Sequence, residues 1–387
     1  MQTTVVLPMA DGSLVTYATG PPGEWRRPEA PIRCRVPLAA AHVVADVLAV
    51  TEDAPGAALD WDATLAYRRH LWSWGLGVAE AMDTAQRGMG LDWPAAQELI
   101  ARSIKEASAA DGVLVCGVNT DQLLPGAPTT LADVVAAYVE QCEFVESRGG
   151  NVVLMASRHL AACARHADDY AHVYGRVLEQ VSRPVIIHWL GGMFDPALAS
   201  YWGSADLDAA TDVLLAIISA HAEKVDGTKI SLLDGAREIG LRRRLPPGVR
   251  LYSGDDFNFP TMLKGDEHGH SDALLGVFDA IAPAASSALQ ALDAGDEKAY
   301  DDALARTLPL SRHIFRSPTY NYKTGIVLLA YLNGHQDHFR MVGGMESARS
   351  AIHLAELFVL ADKAGLLDDP PLAAARMRRV LAVAGVD

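Results

Sequence analysis

The 387-residue sequence predicts an α/β chain that closes into a (β/α)8 barrel, and three observations carry that expectation. From about His42 onward, short apolar runs alternate with amphipathic helical segments through eight repeats of the pattern. The runs are apolar at nearly every position and alternate with helices, which means a parallel sheet covered by helices. No GxGxxG follows the first run, which weakens the rival doubly wound sheet, and neither a P-loop nor a GxSxG elbow is present.

The elements follow in order. "VVLPMADGSLVTY" reads as a β-hairpin and "GPPGEWRRPEAP" as a proline-rich linker. "HVVADVLAV" is expected as the first barrel strand, with Asp46 in register with His42 and Val44 and so directed inward. "TEDAPG" then turns the chain into the helix "DWDATLAYRRHLWSWG". "GVAEAMD" is the second strand. The helix after it starts at "DWPAA", where Asp92 caps and Pro94 fits the first turn. "GVLVCGV" is the third strand. In "TTLADVVAAYVEQCEFVESRGG" Thr130 caps a helix, Leu131, Val134, Val135, Tyr138, Val139 and Cys142 form its apolar stripe, and Gly149 ends it.

"NVVLMAS", "RPVIIHW", "VDGTKIS" and "VRLYSGDD" continue as strands, separated by helices near Asp168–Val181, Asp206–Ala222 and Gly235–Leu245. "ALLGVF", Ala273 to Phe278, is the eighth. Three or four helices follow, near Ala282–Leu292, Glu297–Phe315, Gly325–Leu332 and Glu346–Lys363. The chain thus divides into a hairpin and linker over 1–40, a barrel over 41–283, and a helical extension over 284–387 packed on the barrel or on a second subunit. Ile326, Leu329 and Ala330 form a stripe that needs a covering surface.

Composition narrows the function. A formal net charge of −15 argues against binding nucleic acid or an anionic membrane surface. No stretch is apolar enough to span a bilayer, and the N-terminus lacks a secretory pattern, so a cytoplasmic protein is expected. Cys34, Cys116, Cys142 and Cys163 are widely spaced and read as reduced thiols, with no zinc ribbon or disulfide framework.

In such barrels the chemistry sits at the C-terminal ends of the strands. Those ends offer Glu80 and Asp83, then Arg158 and His159, His188, Lys229, and Ser253 with Asp255 and Asp256. His268 and His270 precede the eighth strand. Asp83 and Asp255 could instead cap the helices that follow them. His188 could be a core histidine bonded to a carbonyl, and "GDEHGHSD" could be a solvated loop. Lys229 is harder to explain as scaffold. A lysine within an apolar strand is costly unless paired or neutral. Desolvation favours the neutral amine, the nucleophile that Schiff-base chemistry requires. A buried pair with Asp46 or Asp256 is the structural alternative.

The residues around this lysine resemble the dihydrodipicolinate synthase / N-acetylneuraminate lyase superfamily, in a divergent bacterial branch. "DGTKIS" is similar to the family's lysine strand and "YSGDDF" to its S-G-D-D segment. "WGLGVAEAMDTAQRGMGLDWPAAQELI" is similar to the strand and helix around its G-T-T-G-E loop, and "AELFVLADKAGLL" to its closing helix. The resemblance implies a Schiff-base role for Lys229, no cofactor, and an assembly of two or four chains. Three departures stand out. G-T-T-G-E has become Asp83-Thr84-Ala85-Gln86-Arg87, which alters the cradle for a 2-oxo acid's carboxylate. The tyrosine of the family's P-Y-Y is lost in Ser157-Arg158-His159-Leu160, and that of Y-N-x-P is His188.

The leading expectation is a class I lyase, aldolase or dehydratase acting on a small 2-oxo acid or keto-sugar. Lys229 forms the iminium, His188 or His159 moves the proton, and Asp83, Thr84, Arg158, Ser253, Asp255 and Asp256 bind substrate. His188 is expected to face the barrel interior beside Lys229. The alternative is a divalent-metal sugar isomerase or epimerase using Glu80, Asp83, His188, Asp256 and His268 or His270. A non-catalytic ligand-binding descendant is the third possibility.

Overall fold

The structure is a computed structural model and describes residues 3–50 and 56–386. Strands β1 (Thr4–Pro8) and β2 (Leu14–Ala18) form the expected antiparallel hairpin. Eight parallel strands follow: β3 (Pro37–Ala40), β4 (Gly77–Glu80), β5 (Leu114–Val118), β6 (Asn151–Leu154), β7 (Val185–Leu190), β8 (Val225–Ser231), β9 (Arg250–Ser253) and β10 (Asp272–Leu275). They pair in chain order, and β10 closes on β3. The expected (β/α)8 barrel is therefore the fold.

Among the described residues nine α-helices accompany the strands: α1 (Trp61–Ser73), α2 (Trp93–Ala110), α3 (Leu131–Glu146), α4 (Arg158–Cys163), α5 (Ala167–Gln180), α6 (Leu207–Ala220), α7 (Gly235–Arg242), α8 (Phe259–Lys264) and α9 (Val277–Ala280). Their starts follow the sequence signals. The Asp92 carboxylate accepts from Ala95 N–H at 2.9 Å, and Thr130 and Asp133 form a reciprocal capping box. Among the described residues five more α-helices follow: α10 (Ala282–Asp293), α11 (Glu297–Ile314), α12 (Tyr322–Leu332), α13 (Ala351–Lys363) and α14 (Pro370–Val383). The last was not anticipated, although Asp369 caps it and Pro370 and Pro371 fit its first turn.

The first barrel strand is not where the apolar run placed it. Pro37–Ala40 pairs with β4 and β10, whereas His42–Val50 is a connection leaving the strand's C-terminal end. Val47, Leu48 and Val50 are 49%, 88% and 75% exposed, so half of the apolar run is outside the core. Asp46 is exposed and accepts from Leu48 N–H at 2.9 Å, which removes it from the interior. The barrel begins before residue 41, and a boundary at 283/284 falls inside α10. Of the expected "TEDAPG" turn, residues 51–55 lie outside the described ones.

Strand parity organises the barrel. Leu38, Ala40, Ala79, Val115, Val153, Ile186, Tyr252 and Leu274 fill its interior together with Met82 and Met155. Neighbours one position away point to the helical shell. All eleven residues of α12 are buried, including Ile326, Leu329 and Ala330, beneath α9, α11, α13 and α14. The N-terminal hairpin packs on α13 and α14. Tyr17 donates its hydroxyl to Asp362 at 2.6 Å, and Gly20 N–H donates to the same carboxylate.

Candidate functional site

Lys229 lies near the C-terminal end of β8, on the inward face with Gly227 and Ser231. Cross-strand register sets it beside His188 on β7 and Tyr252 on β9. Its side chain is buried, and burial lowers its basicity. The nearby charges of Asp83 and Asp256 pull the other way without overcoming that effect. Gly254 explains why the stem fits. A Cβ there would lie 2.9 Å from Lys229 Cε and 2.2 Å from Ser231 Oγ. The glycine of "SGDD" thus leaves room for the lysine.

A small pocket surrounds the lysine, with Asp83, Thr84, Ser231, Asp256 and Tyr322 among its walls. Asp256 is buried and accepts from Val277 N–H at 2.9 Å; burial is the main cause that raises its carboxyl above the ordinary value. The Thr84 and Tyr322 hydroxyls are 2.8 Å apart. Burial, with the Asp83 charge second, keeps the Tyr322 phenol protonated. Tyr322 comes from α12 and stacks on Phe315 at 4.5 Å, so the C-terminal extension roofs the pocket.

Asp83 opens a one-turn 3₁₀ segment, Asp83–Ala85, flanked by two non-glycine residues at positive φ, Ala81 (54°) and Gln86 (67°). Such strain persists only where surroundings hold it. Gln86 Nε2 donates to Val342 O at 2.8 Å and to Met89 O at 3.2 Å, which fixes the turn. Arg87 adds no free charge, because its guanidinium pairs with Asp121 and donates to Gly117 O at 3.1 Å.

Outside the inner pocket runs a cleft of about 900 Å³, lined by Asp83, His188, His159 and Arg158 among others. His188 is buried and faces this space, as expected. Its Nε2 contacts Ser231 Oγ at 3.2 Å, while its Nδ1 has no partner. Burial and, second, the Lys229 charge hold the imidazole neutral. His159 sits farther out on α4, its Nδ1 3.0 Å from Thr120 Oγ1, which in turn contacts Ser157 Oγ at 2.6 Å. Arg158 is exposed and paired with Asp195 at 2.5 Å.

Several sequence candidates are directed elsewhere. Glu80 follows the inward Ala79 and therefore points outward, paired with Arg68 at 2.8 Å and accepting from Ser103 Oγ at 2.6 Å. Ser253 follows Tyr252 and likewise points outward, donating to Glu238 at 3.0 Å. Asp255 is spent on the loop before α8, whose N-cap is Asn258: its Oδ1 accepts from Phe257 and Asn258 N–H, and its Oδ2 from Asn258 Nδ2. His268 and His270 lie between α8 and β10, at the end of the barrel where strands begin. The proposed ligands Glu80, His188, Asp256, His268 and His270 do not converge. Among the described residues no group of three or more His, Cys, Asp or Glu is arranged to hold a metal ion.

Three residues near the site were not singled out from sequence. Tyr322 and Thr120 have no local motif. Lys323 is a second buried lysine, its basicity lowered to about 8 by burial despite the Asp83 charge. Its one visible signal was the scarcity of lysine in the chain.

Comparison with known proteins agrees with this geometry at the level of fold. The family described as "Protein of unknown function (DUF993)" matches residues 5–386. A search of curated proteins finds no match. Among solved structures, a putative dihydrodipicolinate synthetase from Pseudomonas aeruginosa is 19% identical at a TM-score of 0.61, covering 84% of this chain and 99% of its own. Dihydrodipicolinate synthase from Aquifex aeolicus is 12% identical at 0.61, with 91% and 98% covered. YagE, an E. coli K12 prophage protein of the dihydrodipicolinic acid synthase family in complex with pyruvate, is 12% identical at 0.64, with 91% and 99% covered.

Proposed function

For a chain that belongs to the DUF993 family, whose description assigns no activity, we propose the chemistry of a class I, Schiff-base lyase or aldolase acting on a small carbonyl compound, a 2-oxo acid or a keto-sugar. The observation that carries the proposal is Lys229 itself: an amine buried at the C-terminal end of a barrel strand and made less basic by that burial.

The neutral amine attacks the carbonyl carbon and forms a C–N bond. Two proton transfers to the carbonyl oxygen release it as water and leave an iminium, which accepts the electron pair of the breaking C–C or C–H bond. The hydroxyls of Thr84 and Tyr322, which line the pocket with Lys229, suit a proton path, and the unpartnered His188 Nδ1, from the neighbouring strand, suits a neutral base. His159, farther out, suits contact with the substrate's distal part. Asp83 and Asp256 suit its hydroxyl groups.

The test is reductive trapping. Borohydride with a carbonyl substrate is expected to add mass to the peptide carrying Lys229 and to abolish activity. Lys229→Arg, which keeps the charge but forms no imine, is expected to be folded and inactive. Turnover by that variant would sink the proposal. Absence of any adduct across a carbonyl panel would favour a ligand-binding role.

A further inference from the structure

We infer that the substrate engaged by Lys229 is uncharged beside its reacting carbonyl: a hydroxyketone or hydroxyaldehyde with an extended polar arm, and not a 2-oxo acid. The inference rests on the Schiff-base reading and sharpens it. Three observations on the pocket wall carry it.

The first is the sign of the wall. Asp83 and Asp256 both line the small pocket around Lys229, and Lys229 is its only cation among the described residues. Once the amine has become the iminium, a substrate carboxylate on the adjacent carbon would meet the Asp83 carboxylate and a partly protonated Asp256, whose carboxyl burial raises to about 7, with no further cation on this wall. Lys323 does not line this wall; its ammonium is 3.2 Å from both Tyr320 O and Met89 Sδ. Arg87 is used by Asp121.

The second is the state of the donors. A carboxylate needs N–H or O–H groups aimed at it. In the Asp83–Ala85 turn, Ala85 N–H already donates to Met82 O at 3.0 Å and Gln86 N–H to Asp83 O at 2.9 Å. The Thr84 hydroxyl is engaged with Tyr322 and that of Ser231 with His188. The donors left on this wall are neutral N–H and O–H groups, and its full charge besides the lysine is the Asp83 carboxylate. The side-chain carboxylate of Asp83 has no hydrogen-bond or ion-pair partner among the described residues, so its oxygens suit a hydroxyl donated from the carbon next to the carbonyl.

The third is room. Asp83 belongs to both the inner pocket and the 900 Å³ cleft, which leads outward past His188 and His159. A cavity of that size fits a molecule much larger than a three-carbon acid. Its lining includes charges of both signs, Arg158 and Arg165 among the basic residues and Asp92, Asp121 and Asp195 among the acidic ones, which suits a neutral, hydroxylated arm.

The experiment is a competition at pH 7 in cyanoborohydride between dihydroxyacetone and pyruvate at equal concentration. Hydride adds to the iminium carbon, and mass spectrometry quantifies each secondary amine on the Lys229 peptide. Exposed Lys298 serves as the internal measure of non-specific reaction. Dihydroxyacetone is expected to label Lys229 at least about ten-fold more than pyruvate, and Asp83→Asn to cut that preference by about ten-fold. Pyruvate labelling that equals or exceeds dihydroxyacetone labelling overturns this inference and leaves the Schiff-base reading standing. Labelling of Lys229 no faster than Lys298 by either compound removes the Schiff-base reading, and the inference with it. Unchanged preference in a folded Asp83→Asn protein overturns the role given to that carboxylate.

Discussion

Gly254→Ala tests whether the lysine's reactivity depends on where its stem lies. The added methyl would sit 2.2 Å from Ser231 Oγ, 2.7 Å from Ile230 O and 2.9 Å from Lys229 Cε. The backbone carbonyl cannot yield without disturbing the β8–β9 ladder, so the flexible lysine and serine side chains move first. Relief requires a shift on the order of 1 Å, given ordinary contact distances of about 3.5 Å between carbons. Overpacking of this kind costs about 1–3 kcal/mol in stability. Displacement of a reacting group by ~1 Å costs on the order of 100-fold in rate. The assay pairs thermal unfolding with the initial rate of cyanoborohydride trapping at Lys229. A variant that unfolds only a few degrees earlier, yet traps about 100-fold more slowly, is the expected result. Trapping at the parent rate would refute the reasoning, since the stem position would then be irrelevant to attack.

Tyr322→Phe removes the hydroxyl facing Thr84 while keeping the ring stack, so turnover should fall about 10²-fold with a stability loss of only about 1 kcal/mol, read by steady-state rates and urea unfolding. Equal activity would take Tyr322 out of the proton path. Glu238→Gln addresses stability against pH: burial raises the Glu238 carboxyl to about 8, so the folded chain holds a proton that the unfolded chain releases above the ordinary value of 4.5. Stability is therefore lost as pH rises between these values, and the glutamine variant, which carries no such proton, should gain relative to the parent by roughly 2–4 kcal/mol between pH 5 and 8. Chemical unfolding at both pH values checks it, and parallel curves would contradict it.

The sequence made most of the barrel legible because period, capping and strand composition agree there. The α2 and α3 boundaries followed from Asp92 and Thr130, and the lysine strand from its unusual residue. The first strand was obscured because β3 is only four residues long and follows a proline-rich linker, while the longer apolar run after it is a loop. Parity could have removed Glu80 and Ser253 in advance: each stands one position from an interior residue, so the alternation that points Ala79 and Tyr252 inward turns them outward. Tyr322 was beyond such reasoning. It meets Thr84 across 238 positions of chain, and nothing local to "TYNYKTG" marks it as part of a site.

The roof over Lys229 joins parts of the chain that lie far apart in sequence. The lysine stands on β8, Tyr322 comes from α12, and α13 is tied to the N-terminal hairpin where Tyr17 donates to Asp362. Burial is what lowers the lysine's basicity, so its reactivity depends on the C-terminal helices as much as on the strand that carries it.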